Sequence, residues 1–317
     1  MRQMIITKSK VLAALLLVTV VVSAGNAQVR DDFDGAFNPA LSWQWVAPGN
    51  TPYHTEDSTH YSFSPSTLDI VMQPGTLTLN ENNAHNILTL RVGPAQRGWY
   101  IETRFTLDLA GASGAWVQAG LLWLLHADHY YTYHLVLNPF NGNLFLGTAH
   151  EENGSFINGG AQSSEWSPNL NTVTLRMQDY LAGDLGSYVE LWYDNGDGNG
   201  MRWLITVPTA AVPGWPFTVL RDVLLNGGRI GIYTDLSGYT GEVMPMASFD
   251  YFETNLPILP AGDVNGDCIV DDADLLAVLF AFGQTGANLA EDVNGDEVVD
   301  DADLLTVLFS FGSQCGG

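Results

Sequence analysis

The stretch WYIETRF at residues 99–105 decides the class of fold. In an extended chain successive side chains point to opposite sides, so one face of this stretch carries Trp99, Ile101, Thr103 and Phe105. Residues 172–178 alternate in the same way, and their inward face carries Val173, Leu175 and Met177. A period of two residues is typical of half-buried β-strands.

Short β-prone runs continue on both sides of these stretches from about Asp31 to Glu253, separated by Gly, Asn, Asp and Pro. The further candidate strands are 67–72, 76–79, 86–92, 115–125, 130–137, 143–148, 187–193, 201–207, 228–234 and 246–252. No amphipathic helix of ordinary length is predicted between them. This pattern favours an all-β two-sheet jelly-roll sandwich, which we assign to residues 28–254.

The N-terminus has the organisation of a secretory signal peptide. An apolar run at 11–22 is followed by small residues at 23–27 that offer a cleavage site, and the positive charges before the run are Arg2, Lys8 and Lys10. We therefore predict that residues 1–27 are removed and that the protein is secreted or attached to the cell surface. An uncleaved membrane anchor is the alternative, although about a dozen apolar residues are few for a bilayer.

The charge of the chain excludes one class of partner. The formal net charge is −24, and loss of the three positive charges of 1–27 makes it −27. Residues 28–317 contain eight arginines and no lysine. A nucleic-acid partner needs a basic face, so nucleic acid is excluded. Strong acidity suits a soluble exported protein or one that gathers cations.

The end of the chain contains an internal repeat. DVNGDCIVDDADLLAVLF at 263–280 and DVNGDEVVDDADLLTVLF at 292–309 share fifteen of their eighteen positions. The segment 255–262 contains two prolines and predicts a short, stiff linker before the repeat. Residues 263–317 carry twelve Asp and Glu residues and no basic residue, which marks a second domain.

Each repeat opens with the oxygen spacing of a twelve-residue calcium loop. Positions 1, 3, 5, 9 and 12 are Asp263, Asn265, Asp267, Asp271 and Asp274 in the first loop, and Asp292, Asn294, Asp296, Asp300 and Asp303 in the second. Position 7 contributes a backbone carbonyl, here from Ile269 and Val298. Close-set carboxylates repel each other without a cation, so we predict two bound Ca²⁺ ions. A solvated acidic tail is the alternative.

Each loop leads into the apolar segment Ala-Asp-Leu-Leu-x-Val-Leu-Phe-x-Phe-Gly, which predicts a short helix. Position 12 lies at the helix start, where a carboxylate suits the helix dipole. Gly283 and Gly312 are the predicted stops. Both helices are apolar nearly all round, so they must pack on each other or on a partner.

These two loop–helix motifs resemble a type I dockerin, a small all-α calcium-binding domain, over residues 263–317. The resemblance implies docking to a cohesin domain, which tethers a secreted enzyme or binding module to a scaffold or surface. Position 6 departs from the usual Gly, with Cys268 and Glu297, and positions 10 and 11 are Asp-Ala instead of the frequent Ser-Thr. Docking to the protein's own sandwich is therefore the alternative to a cohesin partner.

The chain has two cysteines, Cys268 and Cys315, which bracket the repeat. In an exported protein we predict that they form a disulfide. Two separate thiols are the alternative.

The sandwich has a resemblance of its own, carried by an ordered series of motifs. They are 31–35 (DDFDG), 43–45 (WQW), 73–79 (QPGTLTL), 118–122 (QAGLL), 127–131 (ADHYY), 228–233 (GRIGIY) and 249–252 (FDYF). Over 31–253 this series resembles the concanavalin A-like β-sandwich at the C-terminus of family 43 β-xylosidases. The catalytic residues of those enzymes lie on a separate propeller, for which this chain has no room. The resemblance implies an accessory, glycan-facing sandwich.

The search for catalytic chemistry leaves alternatives open. Glycoside hydrolysis needs two carboxylates that face each other across a cleft, and the acids on candidate strands are Glu102, Glu190, Asp250 and Glu253. His126 and His129 flank Asp128 in a predicted hairpin turn, which is a plain turn or a metal site. The segment 194–200 (DNGDGNG) is a hairpin turn or a third calcium loop.

Sugar rings stack on flat aromatic faces, and amides hold their hydroxyls. The candidate carbohydrate-binding residues are Trp45, Gln118, Tyr131 and Tyr133, with core packing as the alternative for each. Our first hypothesis is an exported carbohydrate-binding accessory protein of polysaccharide breakdown, with a calcium-dependent docking domain and no assigned catalytic residue. The alternatives are a glycoside hydrolase acting on xylan or β-glucan and a surface display protein that binds no glycan.

Overall fold

The computed structural model describes residues 28–46, 57–78, 81, 83–126, 129–152, 155–209, 218–286, 289–294 and 298–315. The predicted signal peptide, 1–27, lies outside these ranges. Within them, no helix is long and apolar enough to cross a membrane.

The described residues form fifteen strands and three short helices. The first eight strands are β1 (Val29–Asp31), β2 (Gln44–Val46), β3 (Tyr61–Phe63), β4 (Leu68–Val71), β5 (Ile87–Val92), β6 (Tyr100–Asp108), β7 (Trp116–His126) and β8 (His129–Leu137). The others are β9 (Leu144–Glu152), β10 (Ser155–Ala161), β11 (Thr172–Asp179), β12 (Tyr188–Asp194), β13 (Arg202–Pro208), β14 (Gly228–Ser237) and β15 (Met246–Thr254). The helices are α1 (Val219–Asn226), α2 (Asp272–Ala281) and α3 (Asp301–Phe309).

The strands form two antiparallel sheets that enclose one large core. The eight-stranded sheet has the order β13-β12-β11-β6-β15-β4-β3, with β1 paired to β15. The seven-stranded sheet has the order β10-β9-β8-β7-β14-β5-β2. Side chains from both sheets, among them Trp99, Phe105, Trp123 and Phe249, pack in the core between them. The predicted two-sheet β-sandwich is confirmed.

Alternation predicted the inward faces of β6 and β11 correctly. Their predicted inward residues are buried, and these are Trp99, Ile101, Thr103, Phe105, Val173, Leu175 and Met177. The predicted strand at 76–79 is wrong for its described part, 76–78. Side chains hold this segment as a loop, because Asp235 Oδ2 accepts hydrogen bonds from Thr76 Oγ1 at 2.8 Å and from Leu77 N at 2.9 Å. Helix α1 lies where no helix is predicted.

The segment 194–200 joins β12 to β13 as a hairpin turn. Asp194 Oδ1 accepts from Gly196 N at 2.8 Å, and Asp197 Oδ1 accepts from Asn199 N at 3.0 Å. The other oxygen of Asp197 pairs with Arg202 Nη1 at 2.9 Å. These carboxylates make local turn contacts, which favour the hairpin interpretation over a third calcium loop.

The two repeats fold as a symmetric pair, which we call the repeat segment (residues 263–315). The position-9 aspartates, Asp271 and Asp300, cap helices α2 and α3. The repeats also exchange backbone bonds: Val270 pairs with Gly312 and Ser313, and Val299 pairs in the same way with Gly283 and Gln284. A small core joins the two halves and contains Val264, Val270, Val278, Ala281, Val293, Val299 and Val307.

A disulfide joins Cys268 to Cys315 and ties the first loop to the chain that follows α3. In the loop-entropy model a cross-link over 47 residues stabilises the folded chain by about 4 kcal/mol. Cys268 has a φ of 72°, in the left-handed region that favours Gly. This is the conformation that twelve-residue calcium loops reach with a Gly at position 6.

The repeat segment packs against the sandwich through its loops. Position 2 of each loop offers a backbone carbonyl to a side chain of the seven-stranded sheet: Arg91 Nη2 donates to Val264 O at 3.4 Å, and Gln44 Nε2 donates to Val293 O at 2.8 Å. Arg229 Nη1 holds Gln44 by its Oε1 atom at 2.6 Å. The sandwich therefore contacts both repeats at the same loop position.

Two of the acids predicted on strands belong to a closed network on the eight-stranded sheet. Glu102 accepts from Arg176 Nε and from Tyr251 Oη, both at 2.5 Å. Glu253 accepts from Tyr100 Oη at 2.7 Å and from Arg30 Nη1 at 3.0 Å. The Arg30 and Arg176 guanidinium groups lie over the Tyr251 and Tyr100 rings at 3.7 and 4.8 Å, which closes the ring of six side chains.

The other two strand acids also have structural partners. Asp250 pairs with Arg104 at 2.8 Å in an exposed ion pair. Glu190 accepts from Gln178 Nε2 at 2.8 Å and from Trp192 Nε1 at 3.0 Å.

We predict that Arg176→Met lowers the free energy of unfolding by about 1–3 kcal/mol, because it leaves the largely buried Glu102 without its cation. The matched control on the same sheet is Arg104→Met. Its exposed pair with Asp250 is worth about 0.5 kcal/mol or less. Urea unfolding of both variants measures the difference, and equal losses would contradict a network role for Arg176.

Candidate functional site

The outer face of the seven-stranded sheet, which points away from the sandwich core, contains a groove of about 410 Å³. Strand register places Phe145, Val136, Gln118 and Asp235 side by side on neighbouring strands of this face. Thr76 and Thr78 form part of the groove wall from the loop that precedes β5. The groove therefore crosses several strands at one end of the sheet.

Aromatic rings provide the apolar lining of the groove. Trp116, Phe145 and Phe156 all line it. Outside it, Phe140 packs edge-on against Trp116 with ring centroids 6.2 Å apart. Phe140 is 87% exposed, so the aromatic surface continues beyond the groove.

A neutral histidine lies among the polar lining groups. Burial lowers the pKa of His134 to about 3, so the ring is uncharged at neutral pH. Tyr233 Oη, whose pKa burial raises, stays protonated and shares a hydrogen bond of 2.7 Å with His134 Nδ1. A neutral imidazole has one nitrogen that donates a hydrogen bond and one that accepts. Gly120 allows this packing, since a Cβ there would lie 2.7 Å from His134 Cα.

Asp235 lies beside the lining residue Gln118 and is bonded to the loop residues Thr76 and Leu77. Its Oδ2 atom accepts the bonds from Thr76 and Leu77, and Gln118 Nε2 lies 3.5 Å from Oδ1. Burial raises the pKa of Asp235 to about 6, although these hydrogen bonds oppose the shift. The carboxyl group is therefore ionised at neutral pH and protonated in mild acid.

The structure brings one of the four predicted carbohydrate-binding residues, Gln118, to the groove. Tyr131 and Tyr133 are only 4% and 0% exposed and pack in the core between the sheets, so they present no face to a sugar. The prediction for these two residues is wrong by one step of strand alternation. Their neighbour His134 points to the groove instead.

Trp45, the fourth predicted residue, lies far from Gln118 in strand order, on the edge strand β2. Its ring packs against Tyr61 with centroids 4.7 Å apart and against Phe37 at 6.0 Å. This aromatic cluster packs against the core between the two sheets. Trp45 is partly buried in this cluster and does not line the groove that contains Gln118.

Sequence reasoning missed Trp116, Phe145, Phe156 and His134. Trp116 and Gln118 are two positions apart on β7, so alternation from Gln118 finds Trp116. Phe145 and His134 require the register of β7, β8 and β9, which no local pattern supplies.

Backbone hydrogen bonds hold two of the predicted calcium ligands of the first loop, Asp263 and Asp274. Asp263 and Asp274 are buried, and Asp274 Oδ1 accepts from Val264 N at 2.7 Å and from Asn265 N at 3.0 Å. Asp263 accepts from Gly266 N and Cys268 N, both at 2.8 Å. The pKa of Asp263 is raised by burial, and Asp274 adds to the shift. Two buried carboxylates in one loop fit a cation.

The second loop matches the first where it is described. Asp303 Oδ1 accepts from Val293 N at 2.7 Å and from Asn294 N at 3.0 Å, as Asp274 does in the first loop. Asp296 lies outside the described residues. The chemistry of the described oxygen donors fits Ca²⁺, a hard cation that takes six to eight oxygens. The predicted turn or metal site formed by the histidine pair and Asp128 stays a prediction, because Asp128 lies outside the described residues. His129 is a buried strand residue.

No protein-family model matches the chain, and no curated protein matches it. Solved structures do. A mutant of the GH43 protein BlXynB from Bacillus licheniformis is 17% identical, with a TM-score of 0.48, over 70% of this chain and 38% of that chain. The xylan β-1,4-xylosidase from Bacillus halodurans C-125 is 16% identical, with a TM-score of 0.48, over 71% of this chain and 38% of its own.

A third similar structure is LamAcat from Zobellia galactanivorans, at 14% identity and a TM-score of 0.44, over 73% of this chain and 98% of that one. The chain thus spans about two fifths of the length of the two Bacillus proteins. At these identities and TM-scores the likeness carries no argument about activity. The strand pairing itself establishes the two-sheet sandwich.

We predict that Asp235→Asn changes the pH dependence of stability. The folded pKa of about 6 lies above the unfolded value of 3.8, so the carboxyl contribution to stability is present below pH 4 and is lost as the pH rises to 6. Two pKa units correspond to roughly 2–3 kcal/mol. The variant should gain that amount relative to wild type between pH 4 and pH 7 in urea unfolding. If the free energy of unfolding depends on pH in the same way in both proteins, the claim that Asp235 ionises while buried is contradicted.

Proposed function

We propose that this chain is an exported carbohydrate-binding accessory protein of polysaccharide breakdown, which holds a glycan in the groove on the outer face of the seven-stranded sheet. The observation that carries the proposal is the composition of the groove: the rings of Trp116, Phe145 and Phe156 lie beside the amide of Gln118 and the imidazole of His134. Aromatic faces stack on sugar rings, and neutral polar groups hold hydroxyls.

We propose binding rather than hydrolysis because of where the acids lie. Hydrolysis of a glycosidic bond needs two carboxyl groups that flank it. The described lining of the groove includes no Asp or Glu side chain, and Asp235, beside Gln118, is buried and bonded to Thr76 and Leu77. The four strand acids Glu102, Glu190, Asp250 and Glu253 bond to neighbouring Arg, Tyr, Gln and Trp side chains.

We predict that Trp116→Ala weakens glycan binding by about tenfold or more, because it removes an aromatic face from the groove. Isothermal titration with xylan and mixed-linkage β-glucan oligosaccharides measures the effect. Trp203→Ala is the matched control, since Trp203 is 54% exposed on the eight-stranded sheet and should leave binding unchanged. Equal effects of the two substitutions, or no binding by the wild-type protein, would contradict the proposal.

We also propose that the repeat segment is a dockerin-like domain that binds two Ca²⁺ ions and docks to a cohesin-type partner. The ligand spacing and the buried carboxylates of the loops support the calcium sites. Phe280 and Phe309 occupy the same position in the two repeats and are 84% and 86% exposed. These two exposed apolar side chains support docking to a partner protein. The contacts of the repeat segment with the sandwich are made by its loops.

We predict that Asp267→Ala, at position 5 of the first loop, lowers the calcium stoichiometry from two ions to one. Asp272→Ala is the matched control, because Asp272 is exposed at position 10 and is not a predicted ligand. Calorimetric titration with CaCl₂ measures both variants. The calcium proposal fails if wild-type protein binds no ion or if the two substitutions act alike.

A further inference from the structure

The cations of residues 28–317, apart from histidine, are eight arginines, and none of them lines the groove. Five pair with carboxylates elsewhere, and these are Arg30, Arg97, Arg104, Arg176 and Arg202. Arg91 and Arg229 lie at the contact with the repeat segment, and Arg221 lies on α1. His134, the titratable group in the described lining, is held neutral by burial.

The charge nearest the groove is negative. Asp235 lies in contact with Gln118 and is bonded to Thr76, both of which line the groove. Glu81 lies close enough to Asp235 to raise the pKa of its carboxyl group further. The whole secreted chain adds a long-range negative field, with a net charge of −27.

We infer that the groove selects uncharged glycans over chains that carry uronate or sulfate groups, and that Asp235 is a specificity-determining residue. This inference rests on the proposed carbohydrate function and adds the chemical class of the ligand. The lining groups recognise hydroxyls through hydrogen bonds and sugar faces through stacking, which an uncharged glycan satisfies completely.

An anionic glycan meets no cationic side chain in the described lining of this groove. A carboxylate that leaves water needs a cation or several donors to replace its hydration. Here it would approach Asp235 with no guanidinium nearby, and like charges at short range in a partly desolvated site repel strongly. Selectivity of this kind works by a repulsive element as well as by attractive contacts.

Titration of the intact secreted protein at pH 7.5 with matched glycan pairs tests the inference. One pair is a glucuronate-substituted xylan oligosaccharide and its carboxyl-reduced form, which has the same shape without the charge. The other pair is a β-glucan oligosaccharide and its C6-oxidised form. We expect the uncharged member of each pair to bind about tenfold tighter or more.

Variants separate the role of Asp235 from general binding. Asp235→Asn should reduce the ratio of the affinities for the uncharged and the charged glycan several-fold. Asp250→Asn, on the opposite sheet, should leave this ratio unchanged. Gln118→Lys introduces a cation into the lining and should shift the ratio towards the charged member, which keeps the test decisive if Asp235→Asn fails to fold.

Equal or tighter binding of the charged glycans by wild-type protein would overturn the inference and leave the proposed function standing. An unchanged ratio in both Asp235→Asn and Gln118→Lys would overturn the electrostatic origin of the selectivity. Failure of every glycan to bind would remove the proposed function and the inference together.

Discussion

The constraint behind this structure is that the seven-stranded sheet has two faces that must both be covered. Its inner face packs in the main core, but its outer face also carries large side chains, among them Leu122, Leu124 and Tyr130. Leu77 and Ala84, from the loop before β5, cover part of that face. The loops of the repeat segment contact another part through Gln44 and Arg91. The groove occupies a region of the outer face that neither the loop before β5 nor the repeat segment covers.

Local sequence patterns predicted what local interactions decide. Alternation identified the inward faces of β6 and β11, because only one face of each is strongly apolar. In β8 both faces are buried, with Tyr130 as inaccessible as Tyr131, so alternation gave no contrast and the wrong ring set was selected. The groove itself depends on contacts such as Thr76 with Asp235, which are 159 positions apart and leave no mark in a local pattern.

The repeat segment shows the same difference between local interactions, which the sequence predicts, and long-range contacts, which it does not. Spacing within each loop predicts a set of calcium ligands, which stays a prediction, and the structure shows two of these residues, Asp271 and Asp300, as helix caps. The exchange of backbone bonds by Val270 and Val299 joins one repeat to the other, and the contact of Arg91 with Val264 joins the repeat segment to the sandwich. Both are long-range contacts, so the sequence left open whether the segment packs on a partner or on its own sandwich.

The central claim is that the repeat segment lies against the sandwich and shares its outer face with the groove. Small-angle X-ray scattering of residues 28–317 in calcium tests this claim most directly. A docked segment gives a radius of gyration close to the ~19 Å expected for a compact chain of this length. A radius several ångströms larger, with an extended tail in the distance distribution, would show a freely tethered segment and would contradict the account.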